Sequence, residues 1–195
     1  MPDILGNTII DGRNNSEEVV FKSGYLILYG DEVEINSITF RGYFLSISAN
    51  SKTNRIINCK FYKNIDGYTI AINTNNLISI TPNVRIFNCY FEKFTEALSI
   101  ANGNFILEKN TFKNNETAIY CYSIPRPIGT ISPTVSSFNN TFDENTSVGI
   151  SNTLNTLQSS QDIFTNTPDG AKAITSNKSA PVITSVSENN GIITI

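Results

Sequence analysis

Histidine and tryptophan are missing altogether from this chain of 195 residues. Without histidine there can be no Ser-His-Asp or Cys-His catalysis and no His-ligated metal. Charge is sparse as well: charged residues make up 16% of the chain and the net charge is −3. No broad basic surface is available to draw nucleic acid or an anionic membrane. Cysteine is scarce, with Cys59, Cys89 and Cys121 the only ones. An odd, scattered set of that kind gives no disulfide framework. The opening "MPDILGNTIIDG" has no basic region followed by an apolar run, so no signal peptide is expected. No segment approaches transmembrane length, and no membrane insertion is expected. The chain therefore reads either as one that stays inside the cell or as a mature or excerpted piece.

What the chain does have is enough apolar material, 39%, for one core. It also has a filler of Asn, Ser and Thr, which are poor in helix interiors and good in turns and ladders. Two stretches nearly repeat one another, "RIINCKFYKN" (55–64) and "RIFNCYFEKF" (85–94). Aligning on the Phe brings in "EINSITFRGY", "ILEKNTFKNN" and "SSFNNTFDEN", anchored on Phe40, Phe61, Phe91, Phe112 and Phe142. The anchors are 21, 30, 21 and 30 residues apart. A period in the twenties, with insertions at intervals, is the mark of a solenoid.

Within the unit, the positions seven and five before the anchor are mainly apolar, as is the anchor itself, and a step of two means strand. Two before the anchor stand Ile38, Cys59, Cys89, Asn110 and Asn140, a column suited to an internal side-chain ladder. Three after it stand Tyr43, Asn64, Phe94, Asn115 and Asn145, a second turn. A further short strand follows in "YTIAI", "ALSIA", "AIYCY" and "VGISN". About three short strands per unit, with no helical period, predict an all-β fold: a right-handed parallel β-helix of about six to seven turns. Phe164 marks one degenerate turn after Phe142. Residues 1–179 are assigned to the β-helix. Residues 180–195, with two strand-like runs around "NNG", are assigned to a C-terminal hairpin, a cap or the start of a further module.

The stretch "TIIDG" leading to "VEINSITFRG" resembles the start of pectin-lyase-like right-handed β-helix proteins. The "FxxN" elements "FYKN", "FKNN" and "FDEN" are similar to repeats of polymorphic membrane proteins and other adhesin-like surface proteins. The resemblance spans roughly residues 8 to 165. It implies the fold, and an extracellular or cell-surface location. It also implies departures: the adhesin "GGAI" element is replaced by "GYTIAI" and "ETAIYC", and the "GHG" motif and paired Asp of polygalacturonases are absent.

A binding face is predicted beside the insertions "NTNNLISITPN" and "SIPRPIGTISPT", which fall two turns apart. Loops on a rigid scaffold are where function concentrates. The adjoining strands are read with Ile70, Ile100 and Cys121 inward. Thr69, Ser99 and Tyr120 then face outward, as do Ala71, Ala101 and Tyr122, with Arg126 in the second loop within reach. Flat tyrosine rings among small polar residues suit a sugar; the alternative is that both rings cover the solenoid beneath the loop. Asp66 and Glu96, with Glu116 one position off, are candidate calcium ligands, since stacked carboxylates repel unless a cation lies between them; the alternative is solvated turn residues. Glu92, Lys113 and Asp143 are read as a surface charge ladder. Glu34, Arg55 and Arg85 form a similar column, where a solvated charge row is the plainer reading and an anion site the other. Cys59 and Cys89, one turn apart in parallel strands, are wider than disulfide geometry allows, and reduced thiols are expected.

The leading expectation is a non-catalytic module of a cell-surface, adhesin-like protein that binds carbohydrate or a partner protein. It carries no catalytic residue and no obligatory cofactor. A calcium-dependent polysaccharide lyase is the enzymatic alternative, for which the family resemblance implies calcium with a Lys or Arg base. A viral or phage fibre component is the third reading.

Overall fold

In the computed structural model the described residues are 3–4, 7–47, 52–63, 69–74, 81–125, 130–152, 157–166, 174–176, 187–189 and 192–194. Every regular element among them is a strand. Residues with two-step alternation and β-branched or aromatic side chains form strands, and Asn, Ser and Lys close them. The chain coils into a parallel β-helix.

One face is a 7-stranded parallel sheet of Thr8–Asp11, Glu32–Asn36, Thr53–Ile57, Asn83–Phe87, Asn104–Glu108, Thr134–Phe138 and Leu157–Ser160. We call it the long sheet. The second face carries the anchors, in three-residue strands such as Lys60–Tyr62, Tyr90–Glu92 and Thr111–Lys113. The third face is built of Ile70–Asn73, Glu96–Ile100, Thr117–Cys121, Val148–Asn152 and Ile174–Ser176. In the first turns the second and third faces are one: Val19–Leu28 and Ile38–Ile47 run through both and join them into a single 13-stranded sheet.

The anchor column holds. Phe40, Phe61, Phe91, Phe112, Phe142 and Phe164 stack with centroids 4.7 to 5.0 Å apart and ring planes within 3 to 10°. Offset parallel stacking adds about 0.5–1.5 kcal/mol per pair beyond the burial of area. Phe21 extends the stack on the other side of Phe40, at 5.6 Å. Its turn is shorter and lacks the surrounding pattern, so the spacing of the other anchors does not mark it. Alongside run the buried columns Val33–Asn54–Val84–Phe105–Val135 and Ile35–Ile56–Ile86–Leu107–Ser137.

Two corners flank each anchor strand, and both use the left-handed backbone region. Before it come Ser37, Asn58, Asn88, Lys109, Asn139 and Gln161, with φ between 52 and 57°. After it come Lys93, Asn114, Glu144 and Asn166, with Gly42 in the same place in the Phe40 turn. Asn tolerates this region better than most side chains do, and Asn58, Asn88, Asn114, Asn139 and Asn166 all take it.

The first corner is filled by a ladder inside the coil. The N–H of Cys59 donates to Cys89 Sγ (3.4 Å), that of Cys89 to Asn110 Oδ1 (2.9 Å), and that of Asn110 to Asn140 Oδ1 (2.8 Å). Asp162 ends the run, accepting from the Asn140 N–H at 2.8 Å and Nδ2 at 3.1 Å and from the Ser137 and Ser159 hydroxyls. A second ladder fills the other corner, where Phe94 N–H donates to Asn115 Oδ1 and Asn115 N–H to Asn145 Oδ1, both at 3.0 Å. Each amide also reaches back to a carbonyl of the preceding turn, as Asn140 does to Leu107 at 2.9 Å. Cys59, Cys89 and Cys121 are free and buried. Asn64 lies outside the described residues.

The third face corrects the expected register. Ile70 pairs with Glu96, Ile72 with Leu98, Leu98 with Ile119, and only Ile100 with Cys121 as foreseen. Ile70 thus sits outside the core, and Ile72 takes the inward place. Ala71, expected outward, is fully buried in the core, as are Ala97 and Ala118. Neighbouring Ala97 and Leu98 both lie in the core, so strict in-and-out alternation breaks at this point. The slip has a plain cause. Phe61 to Ile70 spans nine residues where Phe91 to Glu96 spans five, so part of that turn's insertion precedes the third-face strand instead of following it. In the Phe112 turn the insertion follows Cys121 as expected. It forms an antiparallel arm in which Ile124 pairs with Ile131 and Pro125 with Thr130.

At the C-terminus Ser187–Asn189 and Ile192–Thr194 pair antiparallel, the ladder expected of a hairpin. The boundary at 179/180 lies outside the described residues.

Candidate functional site

On the third face the hydrogen-bonded register puts Asn73, Ser99, Tyr120 and Ser151 in one row across four turns. Strand geometry places Tyr122 two residues on, on the same side as Tyr120. The two rings stack at 5.1 Å with planes 22° apart. Both are half-buried, and Ser99 is only 4% exposed. The arm begins two residues after Tyr122, so the paired rings stand at its base. Arg126 lies outside the described residues.

Thr69 does not join this row. It is exposed, and its carbonyl accepts from the N–H groups of Thr95 (2.9 Å) and Glu96 (3.1 Å), at the start of the strand. Asn73 stands where Thr69 was expected. Measuring from the Phe61 anchor could not reveal this, because an insertion can enter a 30-residue turn on either side of the strand. Ala101, expected outward, is fully buried.

Beneath the tyrosines, Cys121 is buried, and burial pushes its thiol up to about 12. It therefore carries no thiolate at neutral pH and belongs to the core.

Of the candidate calcium ligands, Glu96 and Glu116 do not share a register position. Glu96 is half-buried in the row of Ile70 and Thr117, whereas Glu116 is exposed at the corner before Thr117. Asp66 lies outside the described residues. Among the described residues no group of three or more His, Cys, Asp or Glu could hold a metal ion.

The charged columns fall in the expected register. Glu92, Lys113 and Asp143 follow Tyr62 along the anchor face. Lys113 Nζ lies 3.2 Å from Asp143 and 3.4 Å from Glu144. On the long sheet Glu34, Arg55, Arg85 and Ile106 face outward in one row. Arg85 is paired with Glu108 at 2.8 Å and lies over the Phe87 ring at 5.3 Å. Around Arg55 and Arg85 the surface dips into a depression of about 200 Å³. A further depression, about 370 Å³, follows the first corner past Asn58, Asn88, Tyr90 and Lys109.

Comparison with protein-family models, with curated proteins and with solved structures returned no match.

Proposed function

We propose that this chain is a non-catalytic β-helix module of the pectin-lyase-like kind, carried by a cell-surface, adhesin-like protein, and that it binds carbohydrate on its third face. The observation that carries this reading is the stacked pair Tyr120 and Tyr122, with Tyr120 in the row of Asn73 and Ser151. Aromatic faces take the apolar side of a sugar ring, and amide and hydroxyl groups nearby take its hydroxyls. A β-helix suits such a role because each turn repeats the face at about 4.8 Å, giving an extended ligand a series of similar places to rest. The absence of His from the sequence weighs toward binding rather than chemistry.

The test is a glycan-array profile of the wild-type chain against Tyr120→Ala and Tyr122→Ala. Each substitution is expected to lower the signal of bound glycans several-fold without altering the urea midpoint by more than a small amount. A profile unchanged in both variants would remove the third face as the ligand site. Binding only to a protein surface would replace the carbohydrate class with the protein one.

A further inference from the structure

We draw no further inference here: the strongest candidate, the basic strip of Lys22, Arg41, Lys60 and Lys63 around Tyr62 on the anchor face, carries nothing because Glu18 already pairs with Arg41 and Lys60, the Arg41 guanidinium covers the Tyr62 ring, and nothing in the structure shows what would lie over the rest of the strip.

Discussion

The main-chain N–H and the side-chain Nδ2 of Asn110 both donate to one atom, Oδ1 of Asn140, at 2.8 and 3.0 Å. Asn140 in turn donates to the Leu107 carbonyl and to Asp162. Removing Asn140 therefore leaves several buried groups unpaired at once. Asn140→Ala is expected to destabilise the chain by about 3 kcal/mol, since each orphaned buried polar group costs about 1–3 kcal/mol. Urea unfolding measures this, and a loss below about 0.5 kcal/mol would show that the ladder closes the corner without holding it.

Asn54 is the opposite case. It stands between Val33 and Val84 in an inward column, is 0% exposed, and neither its Nδ2 nor its Oδ1 has a hydrogen-bond partner. Asn54→Val continues the valine column and removes two unpaired groups. It is expected to raise stability by about 1–3 kcal/mol, read as a higher urea midpoint at unchanged slope. A lower midpoint would refute it.

The surface group Asp143–Lys113 predicts a modest pH response. The Thr165 hydroxyl and the Asn166 amide donate to Asp143 and, with Lys113 adding, hold its carboxyl below the ordinary value of 3.8. Asp143, and then Glu144, raise the Lys113 ammonium above 10.5. A depressed carboxyl stabilises fully above its unfolded value, and that contribution is lost as pH falls through the folded one. The raised ammonium stabilises fully below its unfolded value, and its contribution goes as pH rises through the folded one. Both are present at neutral pH. They remain small because the pair is exposed to solvent. A carbon-detected titration should place the Asp143 midpoint below 3.8, and Thr165→Ala should raise it more than Lys113→Gln does; the reverse order would contradict the assignment of causes.

The thiols offer a clean probe of the coil's integrity. Cys121 is pushed up to about 12 by burial, and burial raises Cys89 as well. All three are closed to solvent, with exposures of 0 to 3%. A chromogenic disulfide reagent should find no reactive thiol in the native chain and all three in denaturant. Rapid native labelling of Cys59 or Cys89 would mean that the first corner opens readily.

Much of the fold was legible in the sequence, because a solenoid writes its period directly into the chain. The anchor phenylalanines and the Asn column at the first corner carried both the repeat and the stacking. Phe21 escaped because its turn shares little else with the others. The left-handed corners escaped because Lys109, Lys93 and Gln161 give no hint of unusual backbone. At the candidate site, Ser99 and Tyr120 share a register position, as counting from anchors 21 residues apart implies, a spacing with no insertion to locate; the burial of Ser99 is not written in that spacing. Thr69 was misplaced because its turn hides an insertion on each side of the strand. Charge pairing was the least legible. The register gave the row of Arg55 and Arg85, whereas only coordinates distinguish Arg85, held by Glu108, from Arg55, held by nothing described.

The two anchor spacings have a consequence for growth. A segment of 21 residues closes one complete circuit and returns every column to its own line, as the step from Phe91 to Phe112 does. Duplicating such a segment would therefore lengthen the rod by about 4.8 Å while leaving every neighbour-to-neighbour pairing intact. Overall reach can thus be adjusted by counting copies, independently of what any one circuit displays on its surface.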